Sequence, residues 1–182
     1  MKLKLSFFLL FCFITTIITA QDRDISYMVS GGKLKPLQAN MDIRHYTIAL
    51  DVDPDQKTIN GYTEIDLNLL QPSGSLLFDL WHGMTIKQVW VNGKKNPFVH
   101  SGDDLVKIDM PQQLPAGKVK VKIAYGGKPG IAERAPWVGG FQWEKDAKGN
   151  PWIAITCQGE GAKIYFPCKD HPSDEPNEGA DM

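Results

Sequence analysis

Cysteine is scarce here: three in 182 residues, with Cys12 inside an apolar segment near the start. Cys157 and Cys168 remain, so at most one internal bridge can form, and neither belongs to a CxxC pair. Runs of more than two basic residues are absent, and the lysines are spread out. That gives no footing for nucleic acid or an anionic membrane as partner. There is no GxSxG, so a nucleophile-elbow hydrolase is unsupported. HExxH is absent as well. His45, His82, His100 and His171 form no i, i+4 pair, and none precedes a glutamate. All four sit in strand or loop context and read as surface or packing residues, so no metal ligand is assigned. Finally, no segment of ten or more residues carries a helical period, which leaves strands to build the core.

The first twenty residues stand apart. Lys2 and Lys4 precede a mostly apolar run over residues 5–18, and Thr19 and Ala20 end it with small side chains. This is the pattern of a signal peptide, with cleavage expected after Ala20. The run is short for a membrane span of about 20 apolar residues. Cleavage would leave 18 basic and 21 acidic side chains, a net charge of −3, on a chain long enough for one domain with a sizeable core. The expected location is outside the cytoplasm: periplasm, cell surface or medium. In such a compartment Cys157 and Cys168 could be joined or could remain two thiols; spacing alone does not decide.

Residues 21–40 are polar and read as a leader. From Asp42 onward the pattern has period two. Tyr46, Ile48, Leu50 and Val52 alternate with His45, Thr47, Ala49 and Asp51. After the turn residues Asp53, Pro54 and Asp55, positions Ile59, Gly61, Thr63, Ile65, Leu67 and Leu69 alternate with polar neighbours. The pair predicts a long hairpin with one wet face on each strand. Shorter strands are expected over residues 76–80, 86–91 and 105–110, with a hairpin turn at Asn92 and Gly93 and a stop at Pro111. Lys118, Lys120 and Lys122 alternate with Val119, Val121, Ile123 and Tyr125, a half-buried strand with its lysines in solvent. The expected fold is all-β, an antiparallel β-sandwich spanning residues 41–182.

Residues 126–151 are Gly-rich and read as a loop, interrupted by Trp137, Phe141 and Trp143. Residues 152–176, WIAITCQGEGAKIYFPCKDHPSDEP, follow as a strand, a Gly-rich turn, a second short strand and a polar loop. This stretch, with Gly139, Gly140 and Phe141, resembles the N-terminal domain of M1-family zinc aminopeptidases, above all a secreted bacterial branch with a similar CQGxGA…PxKDHxSDEP string. Residues 42–48 and 61–65 resemble the family's first two sandwich strands.

The resemblance implies that the Gly-rich turn reaches an active-site cleft and binds the free N-terminus of a peptide. Gln158 falls where many relatives have a glutamate for the substrate amine. An amide accepts from an ammonium but brings no charge. Glu160, two residues on, could restore that charge. Thr156 takes the place of another family glutamine, and Gly159 lets backbone approach. Thr156, Gln158, Gly159 and Glu160 are therefore the candidate substrate-binding residues; no catalytic residue is assigned. The resemblance further implies that zinc belongs to a catalytic domain whose HExxH and GxMEN motifs lie past Met182, that this domain is a partner of the sandwich, and that this chain alone is inactive. It also implies that the sandwich continues into further strands, so a chain ending at 182 would be unstable or partner-dependent. Two weaker cation readings are a Cys157, Cys168 and His171 zinc cluster and calcium on Asp170, Asp174, Glu175 and Glu178. The acids read better as solvated. The alternative function is a non-catalytic secreted sandwich that binds peptide, glycan or protein through Trp137, Phe141, Trp143 and Trp152.

Overall fold

The computed structural model describes residues 32–173, 176, 180 and 181. The apolar leader over residues 1–20 lies outside them, as do Asp174, Glu175 and Glu178. The last residues of the polar 21–40 stretch are tied to the domain. Pro36 starts a single helical turn, α1 (Pro36–Ala39), where its missing N–H costs nothing. Gln38 is buried, and Asn40 exchanges hydrogen bonds with the Gln71 backbone.

The long hairpin forms as its alternation requires. β1 (Met41–Asp53) pairs antiparallel with β2 (Thr58–Leu69). A bulge between Ile43 and His45 reverses the phase of β1. Met41 and Ile43 therefore face the core before it, and Tyr46 and Ile48 after it. The expected inward row fails at its far end: Val52 is exposed, where the hairpin tip runs past the core.

Three further strands complete most of the larger sheet: β4 (Met84–Val91), β5 (Lys94–Asn96) and β8 (Gly117–Gly127). Its order is β11-β1-β2-β8-β4-β5, with β11 (Ala180–Asp181) parallel to β1 at one edge. β8 lies between β2 and β4, so its lysines guard no edge. Lys120 and Lys122 stand opposite Asp66 and Glu64 on β2, with ion pairs of 3.0 and 2.9 Å. A second sheet holds β3 (Ser73–Asp79), β6 (Phe98–His100) and β7 (Leu105–Leu114), in the order β3-β7-β6.

One core fills the space between the sheets. Ile43, Ile65, Leu67, Val121 and Ile123 from the larger pack with Leu76, Phe78, Val106 and Ile108 from the smaller. The fold is an all-β, largely antiparallel sandwich. β7 does not stop at Pro111. It runs on to Leu114, and Pro111 falls in the irregular stretch between the Ser75–Asp109 and Ser73–Leu114 pairings. There a missing N–H breaks no ladder.

The Gly-rich stretch is not one loop. β9 (Gly140–Lys145) pairs with β10 (Pro151–Thr156) as a separate hairpin. The second short strand expected after the turn is instead a 3-10 turn over Ala162–Ile164. No helix among the described residues is long and apolar enough to cross a membrane.

Candidate functional site

The four candidate residues come together where β10 ends. The Gly161 N–H donates to the Cys157 carbonyl at 2.9 Å and closes a tight turn. Gly159 and Gly161 supply the positive φ angles this requires, 87° and 76°. Gln158 is exposed at the tip, and its side chain has no hydrogen-bond partner among the described residues. Glu160 is half-buried, and its Oε2 accepts from the Gly139 N–H at 2.6 Å. The turn is thereby fixed to the start of the hairpin. A side chain at residue 139 would be blocked: a Cβ there would lie 2.6 Å from the Thr156 carbonyl oxygen and 2.8 Å from Glu160 Oε2.

Thr156, the last residue of β10, is half-buried. Its Oγ1 is buried and has no hydrogen-bond partner among the described residues. A buried hydroxyl left unpaired costs stability. Thr156→Val keeps the shape and is expected to raise the unfolding free energy by about 1 kcal/mol, read by denaturant melting. A loss of stability would show that the hydroxyl has a partner in solution.

The segment behind the turn is bolted to the sandwich through polar groups that sequence reasoning missed. The Trp81 backbone N–H donates to the Lys163 carbonyl at 2.8 Å. Asp79 and Cys168 exchange backbone hydrogen bonds of 2.7 and 3.0 Å. The Lys169 ammonium is buried and donates to the Met41 carbonyl at 2.7 Å. The Lys169 N–H donates to the Tyr46 hydroxyl at 3.1 Å. Asp79, also buried, takes the Gln38 amide and the Asp170 N–H on its Oδ2 and lies 3.6 Å from the Lys35 ammonium. Tyr165 and Phe166 pack against Phe141 and Tyr46. Lysines between apolar neighbours, as at Ala162-Lys163-Ile164, were the available signal; a lysine so placed is buried only with a partner.

A second polar cluster lies beside this segment. The Asp104 carboxylate accepts from the His82 backbone N–H and from the His82 ring Nδ1, both at 2.8 Å, and pairs with the Lys163 ammonium at 3.1 Å. Burial pushes the Asp104 carboxyl up, but the hydrogen bonds from His82 and Lys163 outweigh it and hold it below the ordinary carboxylate range. Asp79, Trp81, His82, Asp104, Lys163 and Asp170 line a polar cleft of about 450 Å³.

Cys157 and Cys168 are two free thiols, the first exposed and the second buried. Partial burial, then the Asp170 and Glu160 carboxylates, push the Cys157 thiol up. Burial, then the two nearby thiols, push the Tyr165 hydroxyl up to about 12. Asp170 is not a solvated acid: its Oδ1 accepts from the Ala162 N–H at 3.2 Å. The described residues contain no group of three or more His, Cys, Asp or Glu side chains that could hold a metal ion, so they offer zinc no site. The four aromatics of the alternative reading do not share a surface. Phe141 is buried and Trp143 stacks on it at 5.1 Å. Trp152, exposed and opposite Glu144, projects from the other face of the hairpin.

A two-sheet sandwich carrying a Gly-rich turn on an extra hairpin defines the class. Residues 43–176 match the Peptidase M1 N-terminal domain, and the chain belongs to that family. It is 31% identical over 144 residues to leukotriene A-4 hydrolase of Xenopus laevis, a match covering 72% of this chain and 22% of the relative. Its fold is similar to that of the M1 zinc metallopeptidase from Deinococcus radiodurans (TM-score 0.60, 21% identity, 74% of this chain and 30% of that one). It is likewise similar to native leukotriene A4 hydrolase from Saccharomyces cerevisiae (TM-score 0.59, 18% identity, 76% of this chain and 22% of that one). The chain thus spans less than a third of each of these relatives.

Proposed function

We propose that this chain is the N-terminal, cleft-facing domain of an exported M1-like zinc metallo-aminopeptidase, and that Thr156, Gln158, Gly159 and Glu160 meet the free N-terminus of the peptide. The observation that carries the reading is the exposed Gln158 amide on a turn fixed to the hairpin by Glu160 and Gly139, in a domain of this family. The peptide ammonium would donate to the Gln158 amide oxygen. Glu160, with Oε2 committed to Gly139, would supply negative charge beside it through Oε1. Export rests on the apolar leader, and zinc and the hydrolytic step belong to a catalytic domain of the kind its relatives carry. The isolated domain should bind peptide weakly and cleave none.

The test is to titrate the chain with a tripeptide and its N-acetylated form while following the backbone amides of Gln158 and Gly159 by NMR. The free-amine peptide should shift these signals, and Gln158→Ala should weaken its binding about tenfold, near the loss of one charge-assisted hydrogen bond. Equal response to the acetylated peptide would sink amine recognition and favour a general binding module.

A further inference from the structure

The turn that carries Gln158 has little hydrogen bonding of its own. Between Cys157 and Ala162 it makes one internal backbone bond, and two of its residues are glycines in positive φ. Something outside must select its shape. Glu160 holds one side, through Gly139. On the other side lies the Asp170 carboxylate. Its Oδ1 accepts from the Ala162 N–H at 3.2 Å. The carboxylate also lies flat against Gly161: a Cβ on that residue would be 2.1 Å from Oδ1 and 2.2 Å from Oδ2. Asp170 is held from behind, because its N–H donates to Asp79 Oδ2 at 3.0 Å. Asp79 is buried and paired in turn with Cys168 through both backbone bonds. A chain of contacts therefore runs from β3 through Asp79 and Asp170 to the turn.

We infer that Asp170 is a positioning residue for the candidate peptide-binding turn: its carboxylate, seated by Asp79, fits only against glycine at 161 and sets the direction in which Gln158 is presented. This rests on the reading that the turn meets the peptide. The role needs an acceptor at Oδ1 more than a charge, so asparagine should replace Asp170 and alanine should not. The charge has a separate signature. Cys157 lies within the field of the Asp170 and Glu160 carboxylates, which adds to burial in pushing its thiol up. Removing one carboxylate should make that thiol easier to ionise.

The experiment compares the full chain with Asp170→Ala, Asp170→Asn, Gly161→Ala and the Asp170→Ala/Gly161→Ala double variant, each first checked for a cooperative melt. Hydrogen exchange at the Ala162 amide should speed up about tenfold in Asp170→Ala and stay near the parent rate in Asp170→Asn. Cys157 labelling by a thiol reagent near neutral pH should rise about threefold in both, since both lose the charge. Free-amine peptide binding should fall about tenfold in Asp170→Ala and be largely restored in Asp170→Asn. The double variant should bind no worse than Gly161→Ala alone, because the two changes remove one contact. Unchanged Ala162 exchange in Asp170→Ala, or fully additive losses in the double variant, would overturn the inference. If exchange and labelling move as stated while peptide binding does not, Asp170 positions the turn and it is the peptide-contact reading that falls.

Discussion

Asp104→Ala is expected to lower the unfolding free energy by about 3–5 kcal/mol, because it leaves a buried ammonium without its counter-charge. Lys163 and Asp104 have side-chain exposures of 6% and 10%, so water cannot replace the lost partner. Alanine would also inherit the positive φ of Asp104, 63°, which costs about 1–2 kcal/mol for a residue with a Cβ. Asp104→Asn separates the two effects, since asparagine tolerates that backbone region and keeps an acceptor. It should lose less than alanine. Replacing both members by apolar residues, Asp104→Leu with Lys163→Met, should recover part of the loss, because neither charge then has to be desolvated. Denaturant melts of the four proteins at neutral pH check this order. If Asp104→Ala melts like the parent, the pair is not buried in solution.

The same carboxylate ties stability to pH. Its folded pKa lies below the ordinary value, so protons bind the unfolded chain more readily. The stabilisation is complete above the unfolded value, about 4, and is lost as pH falls through the lower folded value. Between pH 7 and pH 3 the parent should therefore lose more stability than Asp104→Asn.

Gly61→Ala is the second large effect, expected to cost about 3 kcal/mol. Gly61 lies mid-strand on β2, opposite Leu50 on β1 and Tyr125 on β8. A Cβ there would fall 1.8 Å from the Ala49 carbonyl oxygen and 2.9 Å from its carbon. The obstruction is backbone, so no rotamer relieves it, and the hairpin must part or slip. Thermal unfolding measures the cost; an unchanged melting temperature would mean that β1 and β2 do not approach this closely.

Legibility followed the range of the interactions. The β1–β2 hairpin, the turn at Asn92 and Gly93 and the inward row of β8 are local patterns, and all were visible. The bulge in β1 was not, because it is defined by register against β2, which β1's own alternation does not contain. β9 was hidden for a similar reason: Gly140 at its start and Gly139 just before it mark close approach to residues 130–132 and to the turn, and without those neighbours they look like loop punctuation. At the site, residues 156–161 could be singled out by their motif, and the structure does bring them together with Gly139. Their roles divide only in three dimensions. Gln158 is exposed, Glu160 clamps the hairpin, and Thr156 Oγ1 is turned into the interior. Apart from Lys163, set between apolar neighbours, the charged groups behind the turn carry no mark in the sequence: Asp79, Lys169 and Asp170 are explained by partners that the linear order does not show.

By itself, then, the sequence determined an all-β chain, its principal strands, their wet and dry faces and the family of its most distinctive turn. The strands and their faces depend on side-chain period and short-range turn chemistry, which a linear order preserves; the family rests on the resemblance carried by residues 152–176. The tertiary structure alone decided which strands share a sheet, where the phase of β1 reverses, that residues 140–156 form a separate hairpin, and which charged groups hold the turn in place. Those outcomes depend on contacts between distant residues, and on the rule that a buried donor, acceptor or charge must find a partner.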